Sequence, residues 1–197
     1  EGTQCTPPHD ITGQAIQAYL PQGAGSETLL TLMKQARELL PQSEVNRRRK
    51  REGKPAATDI WLWGQGRALS LPTIPQRYGI HGSVISAVDL VRGLGVVCGL
   101  RIRLVEGATG YLGTNYAGKI SAALEALETE DLVYLHVEAP DETGHVGILE
   151  KKIQAIEEFD QNIVGKMLAY QQKRKDVRIL VAPDHATPLK IRTHSGE

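Results

Sequence analysis

An α/β fold with a mainly parallel sheet flanked by helices is what this sequence predicts, and three observations carry the reading. Short apolar runs rich in Val, Ile and Leu recur from residue 58 onward. Stretches of about ten residues or more with helical periodicity separate them, as crossover helices separate parallel strands. Side chains able to ligate a cation cluster after these runs, and open α/β sheets hold their ligands beyond the carboxyl ends of the strands.

Composition changes near residue 57. Before it the chain is polar and helical. SETLLTLMKQARELL has apolar residues at helical spacing, with Ser26 as its expected N-cap, and EVNRRRKRE forms a second short helix ended by Gly53 and Pro55. No strand is predicted before residue 57. From residue 58 the expected strands are IWLW (60–63), SVIS (83–86), RIRLV (101–105), LVYLHV (132–137) and RILVA (178–182). Helices are expected over 87–98, 116–127 and 148–172.

With 197 residues, 41% of them hydrophobic, the chain can bury a core in one or two domains. Lys plus Arg and Asp plus Glu both number 23, so no global charge points to nucleic acid or a membrane surface. No apolar run approaches the roughly 20 residues that span a bilayer. Cys5 and Cys98 have no CxxC spacing and read as thiols of a reducing interior, hence a cytoplasmic protein. The start, EGTQCTPPHD, has no initiator Met and no signal-peptide pattern, so the sequence reads as a fragment beginning in mid-protein.

Asp141, His145, Asp184, His185 and His194 are the most informative residues. They lie in PDETGH, PDHATP and RTHSG. Carboxylates and neutral imidazoles are the ligands of divalent cations such as Zn²⁺ and Mn²⁺. Asp141 and His145 can reach one ion if Glu142-Thr143-Gly144 turns. The adjacent Asp184 and His185 can face one site because strand alternation breaks past a strand end. The plainer alternative makes Asp141 a helix cap and Asp184 a turn cap, with the histidines exposed. Three such clusters on one edge of the sheet favour metal.

With TPPHD, WGQG and GATGYLGTNYAGK upstream, HVEAPDETGH, VAPDHATP and RTHSG resemble the archaeal-type 2,3-bisphosphoglycerate-independent phosphoglycerate mutases of the alkaline phosphatase superfamily. The resemblance covers essentially the whole chain in motif order. It implies an alkaline-phosphatase-like core over 58–197 and the later part of an inserted, substrate-binding cap over 1–57. It implies two divalent ions, with Mn²⁺ the first choice and Mg²⁺, Zn²⁺ or Co²⁺ chemically admissible. Asp141, His145 and His194 would hold one ion; Asp184 and His185 would hold the other. The implied reaction interconverts 3-phosphoglycerate and 2-phosphoglycerate through a phosphoserine. The family's nucleophilic Ser and a further metal-binding Asp have no counterpart in this sequence, so the 197-residue chain by itself is expected to be inactive. The alternatives are a metal-dependent phosphatase or other phosphotransferase of the same superfamily, or a catalytically dead metal-binding or scaffold module.

For the small-molecule phosphoglycerate, the resemblance points to His9 and Asp10 of TPPHD, to Arg49 in the pattern Asn46-x-x-Arg49, and to Arg67 after WGQG. A guanidinium suits phosphate and carboxylate alike, because its planar fork binds either bidentately. An Asx-turn with an exposed His is the plainer account of TPPHD. The basic run Arg47–Arg51 has no interleaved aromatic and reads as a solvated face, not a nucleic-acid contact. GTNYAGK nearly spells a P-loop, but Ile120 stands where the magnesium-binding hydroxyl belongs, so it reads as a glycine-rich helix entry. Trp61 and Trp63 read as core. Ser86, Asp89 and Arg92 are placed near the metal edge, with a solvent-facing Asp89 the simpler account.

Overall fold

The computed structural model describes residues 2–196. The chain forms two compact units, one ending at Ala68 and the next starting at Leu69.

In the first unit α1 (Ser26–Leu39) buries Met33. Ser26 is the first helical residue and not the cap; Gly25, at φ 85°, takes the cap position in a backbone conformation that glycine adopts without strain. α2 (Glu44–Arg51) is capped by Ser43, whose hydroxyl accepts from the Asn46 N–H at 3.1 Å. Its basic run crowds the C-terminal turn, where the helix dipole favours cations. Glu44 pairs with Arg47 and Arg51 at 3.2 and 3.0 Å, which makes the run the solvated face the sequence suggests.

Residues 57–68 belong to this first unit. Asn46 is buried; its amide donates to Leu40 O and Ala57 O at 2.7 and 2.8 Å and accepts from Ala57 N at 2.8 Å. Trp61 Nε1 donates to Thr6 O at 2.8 Å, and Arg37 pairs with Asp59. The change in composition near residue 57 therefore precedes the division between units. IWLW is not a strand, because these anchors give its backbone no ladder. Nor are its tryptophans core: Trp61 is half-buried, and Trp63 is 46% exposed with His9 edge-on to its ring at 5.3 Å.

The second unit contains a three-stranded parallel sheet of order β2-β1-β3, from β1 (Gly82–Ile85), β2 (Arg101–Ile102) and β3 (Leu132–Leu135). Ser83 aligns with Arg101 on one side and Val133 on the other. β1 is buried along its whole length, as a central parallel strand is. Short α3 (Ile74–Tyr78) precedes it. α4 (Asp89–Val97) carries the chain from β1 to β2, and α5 (Tyr116–Ala126) from β2 to β3. Helix and strand alternate as the sequence predicts, but the strands are shorter. RILVA (178–182) forms no ladder with a described residue, and Leu180 is 90% exposed. An apolar, β-branched run becomes a strand only where a neighbour accepts its backbone bonds.

The helix expected over 148–172 is three segments: α7 (Leu149–Phe159), a π-helical turn (Asp160–Val164) and α8 (Gly165–Lys173). Around that widened turn Ile163 packs with Tyr116 and Ile120 of α5, joined by Phe159, Met167, Leu135 and Val137. The Tyr116 hydroxyl is pushed up to about 12, first by burial and then by the negative charge of Glu158.

Gly82 fixes the spacing of β1 and β3. A Cβ there would strike the Leu132 carbonyl oxygen and stand 2.8 Å from the Leu132 Cβ. Gly82→Ala is expected to destabilise the unit by about 1–3 kcal/mol. It would lower the urea midpoint at unchanged m; an unaltered midpoint would show that the two strands separate freely.

Candidate metal centre

α6 (Ala139–Val146) follows β3 after the short link 136–138, with Pro140 in its first turn and Gly147 (φ 75°) at its C-cap. Asp141 and His145 sit one turn apart on one face, with Oδ2 and Nε2 3.3 Å from each other. Helical spacing, not a turn at Glu142–Gly144, brings them together. Glu138 holds the cap position, so Asp141 is not the helix cap.

A second segment meets this face. Ser195 N donates to Ala186 O at 3.0 Å in an antiparallel bridge, which folds the chain back and stacks His185 on His194 with ring centroids 3.7 Å apart. Arg192, at φ 55°, lies within the reversal. Lys152 Nζ donates to Thr187 O at 3.0 Å and fastens the segment to α7. Gly144 permits the close approach: a Cβ there would lie 2.6 Å from Thr187 O and 2.9 Å from its Cγ2. The sequence places Asp184 and His185 just past a strand; the structure replaces that strand end with the 186–195 bridge.

The hydrogen bonds fix how the ligating atoms are presented. His145 Nδ1 lies 2.9 Å from the Arg192 carbonyl, which can only accept, so that nitrogen carries the proton. In the neutral ring the Nε2 lone pair then faces Asp141 Oδ2 and, at 3.2 Å, His194 Nε2. Thr187 Oγ1 donates its single proton to Asp141 Oδ1 and accepts from His185 Nδ1 at 3.3 Å. His185 Nε2 is thereby turned toward Asp184 Oδ2, 3.6 Å away. Asp141, His185 and His194 each offer an atom within 4.8 Å of the others. Lone pairs facing lone pairs, with the His145 and His185 rings steadied through Nδ1, is the arrangement that cation ligands take. The donor set fits a divalent ion. All five residues expected as ligands come together, with Asp184 the outermost at 76% side-chain exposure.

Next to this cluster Ser86, at the end of β1, and His136, at the end of β3, stand 3.1 Å apart through Oγ and Nδ1. Burial, then the charge of Lys119, holds His136 below the usual imidazole range, against the opposing pull of Asp184 and Asp141. Burial raises the Glu138 carboxyl, helped by Glu142 and Asp141. Asp89 is exposed and pairs with Arg92 along α4, the simpler of its two readings. GTNYAGK is a capped helix start. Asn115 Oδ1 accepts from Gly118 N at 2.8 Å, and Lys119, 1% exposed, turns inward to donate to Thr109 O at 3.3 Å.

The residues singled out for substrate all lie in the first unit. His9 Nε2 is 3.8 Å from Asp10 Oδ1 in the turn Pro8–Ile11. Arg49 Nε donates to Pro55 O at 2.6 Å, and Arg67 is exposed.

Sequence reasoning placed Ser86 near the metal edge but missed its pairing with His136, and it missed Thr187, Lys152 and Arg192. Only Thr187, beside PDH, and His136, in HVEAPD, carried a signal in their neighbourhood.

An α/β sheet with a carboxylate–imidazole cluster beside its carboxyl edge defines a candidate metal site of the α/β class. The chain belongs to the metalloenzyme superfamily, whose family model matches residues 10–197. It is 54% identical over 194 residues to a probable 2,3-bisphosphoglycerate-independent phosphoglycerate mutase of Geobacter sulfurreducens, covering 98% of this chain and 49% of that protein. It is also 54% identical over 194 residues to a 2,3-bisphosphoglycerate-independent phosphoglycerate mutase of Methanothrix thermoacetophila, covering 98% of this chain and 50% of that one. The chain thus spans about half the length of these curated relatives. The solved PH0037 protein from Pyrococcus horikoshii superposes with a TM-score of 0.66 at 29% identity, over 87% of this chain and 45% of that one.

Thr187→Val removes the proton given to Asp141 while keeping the shape of the side chain. It is expected to weaken Mn²⁺ binding by about 10–100-fold, as loss of an outer-shell partner does. Calorimetric titration measures this, and an unchanged affinity would remove Thr187 from the site.

Proposed function

We propose that the complete gene product carrying this chain interconverts 3-phosphoglycerate and 2-phosphoglycerate without a bisphosphoglycerate cofactor, using divalent cations at the cluster described above. The observation that carries the metal-dependent part is the orientation of His145: its Nδ1 at the Arg192 carbonyl turns Nε2 toward Asp141 and His194. The choice of substrate is supported by the names and 54% identity of the relatives.

In this reading Asp141, His145 and His194 hold one ion and Asp184 with His185 holds the second. The closeness of His185 to Asp141 and His194 brings the two ligand sets side by side. Bound cations supply Lewis-acid stabilisation for phosphoryl transfer. Mn²⁺ is the proposed ion, since carboxylate and imidazole ligands both suit it. The phosphoryl acceptor is a serine with no counterpart in these 197 residues.

The chain's own residues keep the ligating atoms in place. Thr187 and the Arg192 carbonyl hold carboxylate and ring in one orientation each, so that little reorganisation accompanies binding. His9, Asp10, Arg49 and Arg67 are assigned to the phosphoglycerate. The two arginines contact its anionic groups, and residues 1–57 are assigned to a cap. A mutase must retain the dephosphorylated glycerate and exclude water, which a phosphatase need not do. Cys5 and Cys98 are free thiols, in keeping with the cytoplasmic location that goes with this reading. No helix among the described residues is long and apolar enough to cross a membrane.

³¹P NMR of 3-phosphoglycerate with the complete gene product and Mn²⁺, in the absence of bisphosphoglycerate, tests the proposal. A growing 2-phosphoglycerate resonance is expected. Free phosphate in its place would assign the protein to the phosphatases, and an unchanged spectrum would overturn the enzymatic reading.

A further inference from the structure

His136 is unused by the metal cluster, yet its orientation is as tightly fixed as that of His145. Its backbone N–H donates to Ile85 O at 2.8 Å, prolonging the β1–β3 ladder, so the ring stands where two adjacent strands end. Ser86, 5% exposed, accepts from the Val88 N–H at 3.0 Å and has one proton to give. If His136 Nδ1 were protonated, Ser86 would receive two donors and its buried hydroxyl proton would have no acceptor among the described residues. That is a costly state for a desolvated group. The proton of Ser86 therefore goes to Nδ1, and the ring carries its own proton on Nε2.

That Nε2–H meets no acceptor among the described residues. The ring feels the positive charge of the buried Lys119 and the charges of Asp184, Asp141 and His185. Lys119 feels the negative charge of Glu138, whose own ionised form burial disfavours. A neutral N–H donor beside a cation and a ring of metal-ligating groups suits a tetrahedral oxyanion.

We propose that His136 is an oxyanion-binding residue of this site, its Nε2–H donating to a phosphoryl oxygen of the ligand, with Ser86 as the positioning residue that sets the tautomer. The proposal rests on the metal-dependent phosphoryl-transfer reading but is read without turnover.

The test uses the complete gene product with ¹⁵N-labelled histidine, loaded with Mg²⁺, and inorganic phosphate as the probe. Long-range ¹H–¹⁵N spectra of the wild type are expected to show His136 protonated at Nε2, with that signal moving as phosphate is added. By calorimetry, His136→Ala is expected to weaken phosphate binding roughly tenfold to a hundredfold at unchanged metal stoichiometry. His136→Gln, whose amide N–H can stand near the Nε2 position, is expected to recover part of the loss. A ring protonated at Nδ1, or equal phosphate affinity in wild type and His136→Ala, would overturn the inference. The wild-type spectrum decides even if the variants fail to fold. Failure to form 2-phosphoglycerate while phosphate still shifts Nε2 would count against the mutase and for the oxyanion site.

Discussion

The contact on which the candidate metal centre depends is the approach of α6 to the reversal at 186–195, made possible at Gly144. With no Cβ there, the Thr187 backbone comes close enough for its hydroxyl to reach Asp141. That one hydroxyl then serves two ligands, donating to the carboxylate and accepting from His185. The reversal also returns the Arg192 carbonyl to His145 and lays His194 beside His185. Residues from two separate stretches of chain are thus oriented by a few hydrogen bonds, each of which leaves an acceptor facing inward. Such a cluster gathers carboxylate oxygens and imidazole nitrogens at one place. It gains most when a cation provides the missing positive charge.

The sheet contributes through its edge. β1 and β3 end side by side, and the residues that follow them, Ser86 and His136, form a hydrogen-bonded pair before α6 brings in Asp141. The charge of Lys119 acts on His136, and burial holds the Lys119 ammonium below its usual range. This is a region of paired and desolvated polar groups, where interactions with a ligand weaken little through solvent screening. The near-P-loop illustrates the same economy of groups: its lysine stabilises the interior and its asparagine caps the helix, so neither is presented to a nucleotide.

Much of this was legible in the sequence, for identifiable reasons. The alternation of apolar runs and helical stretches after residue 58 reflects burial of the sheet, so class and helix positions could be read from local pattern. The residues of the cluster could be named because few other roles explain Asp and His recurring in three short motifs. Strand extent was not legible: RILVA has the composition of a strand, but whether it pairs depends on a partner edge that composition does not encode. IWLW failed for a related reason, since Trp61 bonds to Thr6, fifty-five positions earlier. The helix over 148–172 was found, but its π-turn was not, because packing of Ile163 against α5 is a tertiary demand. Thr187, Arg192 and the partner of Ser86 escaped notice because hydroxyls and carbonyls are common, and only the fold reveals which ones face an imidazole nitrogen.

What is proposed for Asp141, His145, Asp184, His185 and His194 is that they share divalent cations. X-ray absorption at the manganese K-edge on the Mn²⁺-loaded protein tests this most directly. The account predicts a first shell of mixed oxygen and nitrogen ligands, with the outer-shell scattering that imidazole rings produce, and its loss in Asp141→Ala. A spectrum of fully hydrated manganese, or one carrying no imidazole signature, would contradict it.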